Sequence, residues 1–307
     1  MIQNDTTLPW EHPKLQEEDP EALKLIKKIM SSPTYVMSEK DMEFMSSYEA
    51  RGVRLELDYL KPELKMKEYG IEHTIVVFGS ARIVERETAL KRLRTIEKML
   101  HKKPDDRALL RELYIAERMV GKSIYYEDAR NFGKLVGKSG KTAEDCRVTL
   151  MTGGGPGIME AANRGSFDVG AKSIGLNIKL PHEQFPNPYI TPDLCFLFHY
   201  FAIRKLHFLN RAKALVVYPG GFGTFDELFE TLTLIQTKKT NDIPVVLVGK
   251  SYWEKAIDFD FLKDEGVIAP DDINVFHYAD NAQEAWDHIL SWHEGQGKPL
   301  FDETMDK

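Results

Sequence analysis

Cysteine, long apolar runs and an excess of positive charge are scarce or absent in this sequence. Cys146 and Cys195 are the only cysteines among 307 residues, so we expect no disulfide framework and a reducing, cytoplasmic environment. No stretch approaches the roughly 18 apolar residues that a membrane helix needs, and "MIQNDTTLPWEHPKLQ" lacks the features of a signal peptide. The net charge of −7 argues against a general nucleic-acid-binding surface. We therefore expect a soluble intracellular protein that binds neither membranes nor nucleic acids.

Several familiar catalytic motifs are missing as well. The dinucleotide fingerprint G-x-G-x-x-G fails, because its third position falls on Ile158 or Glu160. None of the four G-K-[ST] triplets has the glycine that a Walker loop places five residues earlier. There is no G-x-S-x-G elbow and no H-E-x-x-H pair. These absences disfavour a redox dehydrogenase, an ATPase, an esterase and a zinc hydrolase, and we expect neither a cofactor nor a metal.

The sequence changes its pattern near residue 71. Residues 1–70 carry helical spacing, as in "PEALKLIKKIM", and are predicted to form a helical N-terminal extension that packs on the main body. A docking arm or a dimer contact is the alternative for this segment. From residue 71 to 307, short apolar strands such as "HTIVVF", "ALVV" and "PVVLV" alternate with helices, with a helical hairpin inserted at about 84–120. This pattern predicts an α/β domain with a doubly wound parallel sheet that is covered on both faces.

Three predicted strands end in turns of small residues. These turns are "FGSAR" (78–82), "MTGGGPGIME" (151–160) and "YPGGFGTFDE" (218–227). In an open α/β sheet, ligands bind beyond the carboxyl ends of the strands, where the three turns would meet. Their backbone N–H groups therefore predict a shared site for a small anion.

The third turn has two interpretations. In the structural one, Thr224 and Glu227 form a capping box worth ~1 kcal/mol, and the glycines merely make the turn. In the functional one, the glycines let the backbone approach a phosphate at a helix N-terminus, while Glu227 faces a neutral part of the ligand, such as a sugar. The pattern alone leaves both open. Arg204 and Lys205 begin the preceding helix, where cations oppose the helix dipole, which favours a ligand over a solvated surface pair.

The motifs "GGGPGIMEAANRG", "FAIRK" and "PGGFGTFDE" together resemble the Lonely-Guy (LOG) family of nucleotide phosphoribohydrolases, often labelled lysine decarboxylases. The resemblance covers roughly residues 71–295 and is closest to the longer bacterial members. It implies a Rossmann-like fold without a redox cofactor, assembled as a homodimer or higher homo-oligomer. It also implies hydrolysis of the N-glycosidic bond of a nucleoside 5′-monophosphate, such as AMP or a cytokinin riboside monophosphate, to free base and ribose 5-phosphate.

The same resemblance implies roles for individual residues. Arg204 and Glu227 would be the catalytic pair, and the other positions would bind the nucleotide substrate. The positions that the resemblance implies are Glu183, Lys205, Gly220, Gly221, Phe222, Gly223, Thr224 and Thr233. The convergence of the turns adds Gly79, Ser80, Gly154 and Gly155 as substrate-binding positions, and Asp226, next to Glu227, is a further one. Asp226 stands where plant members have Glu, and "GGGPGIME" differs from their "GGGSVGLMG", so a general AMP nucleosidase is an alternative to a cytokinin-specific enzyme.

The implied chemistry gives Glu227 a definite task. Glycosidic hydrolysis passes through an oxocarbenium-like state, which a carboxylate can stabilise while it orients or deprotonates water. Arg204 would clamp phosphate or order Glu227, and Asp226 is one candidate donor to the leaving base. The alternative from another class is a non-catalytic nucleotide sensor or carrier, although the carboxylate and arginine together favour the enzyme. A lysine decarboxylase would need pyridoxal phosphate on a lysine, and no lysine is marked for that role.

Overall fold

The computed structural model describes residues 13–14, 17–140, 145–181 and 185–301. The chain divides into two compact units, Met1–Leu57 and Asp58–Lys307. Before residue 70 the described regular elements are all helical: α1 (Ala22–Met30), a 3-10 turn (Pro33–Tyr35), α2 (Met42–Ser46) and α3 (Arg51–Glu68). None of the described helices is both long enough and apolar enough to cross a membrane. The predicted domain boundary at residue 70 stays a prediction.

The second unit is built on one seven-stranded sheet. Its strands are β1 (His73–Phe78), β2 (Val148–Thr152), β3 (Ser173–Ile178), β4 (Cys195–Phe198), β5 (Ala212–Val217), β6 (Val245–Val248) and β7 (Phe276–Ala279). They lie in the order β4-β3-β2-β1-β5-β6-β7, and every neighbouring pair is parallel. The predicted Rossmann-like α/β fold is confirmed. The strand β7 was not predicted; it is a short edge strand whose first three residues are only partly buried or exposed.

Helices cover both faces of this sheet, because its central strands are apolar on both sides. One apolar core joins the sheet to α6 (Ile124–Lys138), α7 (Ile158–Asp168) and α12 (Ala282–Gly295). The other joins it to the end of α3 and to α8 (Phe201–Asn210), α9 (Phe222–Gln236), α10 (Lys250–Ala256) and α11 (Phe259–Asp264). Between β1 and β2, in the region of the predicted hairpin, α4 (Arg86–Lys102) and α5 (Arg107–Lys122) pack against each other.

The strand order creates a switch point beside β1. The chain continues from β1 to β2 on one side, whereas β5 lies on the other side. In doubly wound sheets, the crevice outside the carboxyl ends of the strands at such a point is where ligands bind. This crevice lies next to the turns that follow β1 and β5.

Candidate functional site

Backbone hydrogen bonds join the three glycine turns at this crevice. The N–H of Ser80 donates to the carbonyl of Pro219 (3.0 Å), and the N–H of Ile158 donates to the carbonyl of Ser80 (3.1 Å). A Cβ atom on Gly79 would lie 2.6 Å from the Ile158 side chain, and one on Gly157 would lie 2.3 Å from the Ser80 carbonyl oxygen. The small residues of the first two turns therefore allow this close approach.

Buried amide side chains hold the second turn in place. Gly154 has a φ of +70°, and a Cβ atom there would lie 2.0 Å from Oδ1 of Asn177. The carbonyl of Gly154 accepts from Nδ2 of Asn177 (3.2 Å) and from the N–H of Asn187 (2.9 Å). Nδ2 of Asn187 also donates to the carbonyl of Gly155 (3.1 Å). Sequence reasoning missed these two asparagines, because they lie far along the chain from the turn that they fix.

The third turn enters α9 differently from the capping-box interpretation. The N-cap is Gly221, without a side-chain cap, and its carbonyl accepts from the N–H groups of Thr224 (2.9 Å) and Phe225 (3.0 Å). Thr224 therefore lies inside the helix, and Glu227 lies almost another turn further on. The Thr224 side chain instead packs on Gly220, where an added Cβ would lie 2.0 Å from its Oγ1. The predicted capping box is wrong, because the chain becomes helical earlier than the threonine.

Three backbone N–H groups at this helix start remain available. Those of Gly221, Phe222 and Gly223 donate to no acceptor in the part of the chain that the structure describes. Gly221 has a φ of −107°, Gly223 is helical, and a Cβ atom on either would meet nothing within 4 Å. The turn itself therefore requires neither glycine, contrary to the structural interpretation. Open space in front of free N–H groups at a helix N-terminus suits an anion.

Arg204 faces the second turn from α8. Its Nη2 would lie 3.3 Å from a Cβ atom on Gly153, and its guanidinium lies over the rings of Phe201 and Phe208, 5.5 and 5.2 Å from their centroids. Its Nε is buried without a hydrogen-bond partner, and no described residue forms an ion pair with it. Burial lowers the pKa of Arg204, and Glu227 partly offsets this effect. Since a guanidinium stays protonated in proteins, an unpaired cation is held beside the turn.

Glu227 is the buried acid of the site. Glu227 is only 7% exposed. Burial raises the pKa of its carboxyl group from 4.5 to about 7, although the positive charges of Lys205 and Arg204 act in the opposite direction. Near neutral pH, both protonation states of this carboxyl group are therefore populated. A group with such a pKa can accept or donate a proton during a reaction.

The remaining predicted residues are less well placed. Nζ of Lys205 lies 2.9 Å from carboxylate oxygens of both Asp226 and Glu230. Burial lowers the pKa of Lys205, but the hydrogen bonds that its ammonium group donates to these two carboxylates outweigh it and raise the pKa overall. The exposed Thr233 donates to the Phe229 carbonyl of its own helix (2.7 Å), about 9 Å along the axis from Glu227. Glu183 lies outside the described residues, and Phe222 is 96% exposed.

The fold and the site define a doubly wound α/β protein in which a crevice lined by glycine turns lies beside a buried carboxyl group. A family model described as "Possible lysine decarboxylase" matches residues 159–289. The cytokinin riboside 5′-monophosphate phosphoribohydrolase LOG5 of Arabidopsis thaliana is 25% identical over 52% of this chain and 69% of its own length. Its relative LOG7 from the same plant is 30% identical over 34% of this chain and 46% of its own length. These matches agree with the resemblance to the LOG family that the sequence motifs carry.

A solved structure also aligns with part of the chain. The molybdenum cofactor binding protein from Rippkaea orientalis is 21% identical, with 55% of this chain and 87% of that chain covered and a TM-score of 0.38. At this level of similarity, the fold assignment depends on the strand order described above.

Proposed function

We propose that this protein hydrolyses the N-glycosidic bond of a nucleoside 5′-monophosphate and releases a free base and ribose 5-phosphate. The observation that carries the proposal is that Arg204, which has no ion-pair partner among the described residues, is held beside the glycine turns together with the buried Glu227. Burying a charge without a partner costs several kcal/mol, which is a large part of the roughly 5–15 kcal/mol by which a domain is stable. The names of the LOG relatives, all phosphoribohydrolases of a riboside monophosphate, agree with this chemistry.

The phosphate end of the nucleotide fits the third turn. The N–H groups of residues 221–223, which have no acceptor among the described residues, and the positive end of the α9 dipole favour a phosphate dianion. Arg204 adds a full positive charge and can form two parallel hydrogen bonds with phosphate oxygens. Lys205 contributes at most indirectly, because it already pairs with Asp226 and Glu230.

The sugar end then faces Glu227. Positive charge develops at the anomeric carbon as the glycosidic bond breaks, and an ionised carboxylate stabilises it. The same group can take a proton from the attacking water, because its pKa lies near neutral pH. Asp226 is engaged with Lys205, so we assign it no part in protonating the leaving base.

Product analysis tests this proposal. The purified protein is incubated with AMP, CMP, GMP, IMP and a cytokinin riboside monophosphate, and free base is measured by chromatography. We expect release of base from at least one nucleotide, complete loss of release in Glu227→Gln, and retained nucleotide binding by that variant in calorimetry. Unchanged turnover in Glu227→Gln contradicts the role of this residue.

The alternative is a non-catalytic nucleotide sensor or carrier of the same fold. It predicts that the wild-type protein binds a nucleotide tightly and releases no base from any member of the panel. Absence of both binding and turnover would contradict the two functions together. The proposal also includes a homodimer or higher homo-oligomer, which sedimentation analysis would test.

A further inference from the structure

A tyrosine from the next helix contacts the third turn. Tyr252 lies on α10, and its hydroxyl donates to the carbonyl of Gly220 at 2.5 Å. In the part of the chain that the structure describes, this is the one side-chain hydrogen bond to the backbone of residues 219–223. The sequence offered no sign of it, because 31 residues separate the two positions along the chain.

This hydrogen bond fixes the direction of a neighbouring N–H group. The described chain has no cis peptide, so the carbonyl of Gly220 and the N–H of Gly221 point to opposite sides of one planar unit. With its carbonyl held against Tyr252, this peptide directs the Gly221 N–H away from α10. That N–H has no acceptor among the described residues, and a Cβ atom on Gly221 would meet nothing within 4 Å.

The turn needs such a restraint from outside. Glycine accepts both signs of φ, so the two consecutive glycines would allow the peptide between them to rotate. Thr224 fills the space beside the Cα of Gly220, but a Cβ atom on Gly221 would meet no described atom within 4 Å. A turn with a rotating peptide would present the Gly221 N–H to an anion for only part of the time, which weakens binding.

We propose that Tyr252 is a positioning residue: its hydroxyl holds the Gly220–Gly221 peptide so that the Gly221 N–H points at the phosphate of the substrate. This inference depends on the proposed function for the identity of the ligand, but not for the geometry of the turn. The ligands whose affinity should depend on Tyr252 are phosphate monoesters and inorganic phosphate itself.

The test is Tyr252→Phe, which removes only the hydroxyl. We expect the dissociation constant of inorganic phosphate, measured by calorimetry, to rise about fivefold to tenfold, as for the loss of one hydrogen bond. With AMP as substrate, the KM should rise by a similar factor while kcat stays within about twofold, since ground-state and transition-state binding of phosphate are affected alike. A purely structural defect would not produce this split.

Tyr125→Phe is the matched control. Tyr125 is also half-buried, and its hydroxyl lies against Gly249 at the start of α10, where an added Cβ would be 2.6 Å from it, so this variant changes a contact to the same helix without touching the turn. Its phosphate affinity should equal that of the wild type. Equal weakening in both variants, a fall in kcat without a change in KM, or unchanged affinity in Tyr252→Phe would each overturn the inference. If wild-type protein binds phosphate but hydrolyses no nucleotide, only the proposed function fails; if it binds no phosphate, both fail.

Discussion

Glu227 shows how a single residue links function to stability. Its pKa is about 7 in the folded protein, against 4.5 for an unperturbed carboxyl group, because burial disfavours the charged form. As pH rises from about 4.5 to about 7, the unfolded chain loses this proton while the folded chain keeps it, so the free energy of unfolding falls. Above pH 7 the full cost of the buried charge remains, and it amounts to about 3 kcal/mol at 1.36 kcal/mol per pKa unit.

We therefore predict that Glu227→Gln stabilises the protein while it abolishes base release. Urea denaturation at pH 8 should give a free energy of unfolding higher by up to about 3 kcal/mol, and the difference should shrink toward pH 4.5. Gln keeps the size of the side chain but carries no charge at either pH. If the difference in free energy of unfolding between Glu227→Gln and wild type is the same at pH 8 and pH 4.5, the Glu227 carboxylate is better solvated than the structure indicates.

At the scale of single residues, the sequence predicted which residues belong to the site but not the surroundings of their side chains. Arg204 and Glu227 were selected because their motifs resemble those of a family, and the structure shows both as poorly solvated groups. Lys205 was selected by the same resemblance, yet its amino group lies between two carboxylates. Glu230, one helical turn after Asp226, gave the only sequence sign of this, because residues four apart share a helix face.

At the scale of secondary-structure elements, the start of α9 allows a prediction about Gly223. Gly223 is its second residue, where an added methyl group would contact no described atom. Gly223→Ala should therefore leave the free energy of unfolding unchanged or raise it by up to about 1 kcal/mol, since alanine favours helix. If phosphate occupies the open space, the same methyl group should weaken phosphate binding at least tenfold by calorimetry.

Gly154→Ala provides the contrasting variant. Its φ of +70° and the nearby Asn177 leave no room for a methyl group, so thermal unfolding should shift to a clearly lower temperature. Unaltered phosphate affinity in Gly223→Ala would place the anion elsewhere than at the start of α9.

The same helix shows why some elements were predictable and others were not. The strand β6 and the last four residues of β5 are continuous apolar runs and were visible in the sequence, whereas β7 has one buried residue out of four. The start of α9 was misplaced because Thr224 and Glu227 have capping-box spacing, although the Gly221 carbonyl already begins the helix. Spacing identifies a possible cap, but only the path of the backbone decides which residue occupies it.

At the scale of the whole molecule, the strand order brings together turns that are far apart in the sequence. Three turns spread over about 140 residues meet because β1 lies between β2 and β5 in a parallel sheet. Alternating strands and helices predicted this meeting at the sheet edge. The amide network behind the second turn was not predictable in the same way. Asn163, fully buried on α7, belongs to this network and accepts hydrogen bonds from Thr152 and Asn187 (2.7 and 3.0 Å).

The end of α3 connects the chain before the sheet to the helix that carries Arg204. Oδ2 of Asp58 accepts from the N–H groups of His199 and Tyr200 (2.8 and 2.9 Å), at the start of α8. At the other end of α8, Glu63 forms two hydrogen bonds with Arg211 (2.7 and 2.5 Å), which lower the pKa of Glu63. Two acids of one helix therefore hold both ends of α8.

We predict that Asp58→Ala destabilises the protein by about 1–2 kcal/mol, the usual cost of losing an N-terminal cap, and also weakens phosphate binding. The second effect is expected because Arg204 lies about one turn into α8 and moves with it. Tyr69→Phe is the control. Tyr69 lies just after α3, and the variant removes its hydrogen bond to Asp193 (2.7 Å), which involves no residue of α8. Calorimetry with inorganic phosphate should separate the two variants. Equal affinity in both would mean that packing in the apolar core, rather than the Asp58 cap, sets the position of Arg204.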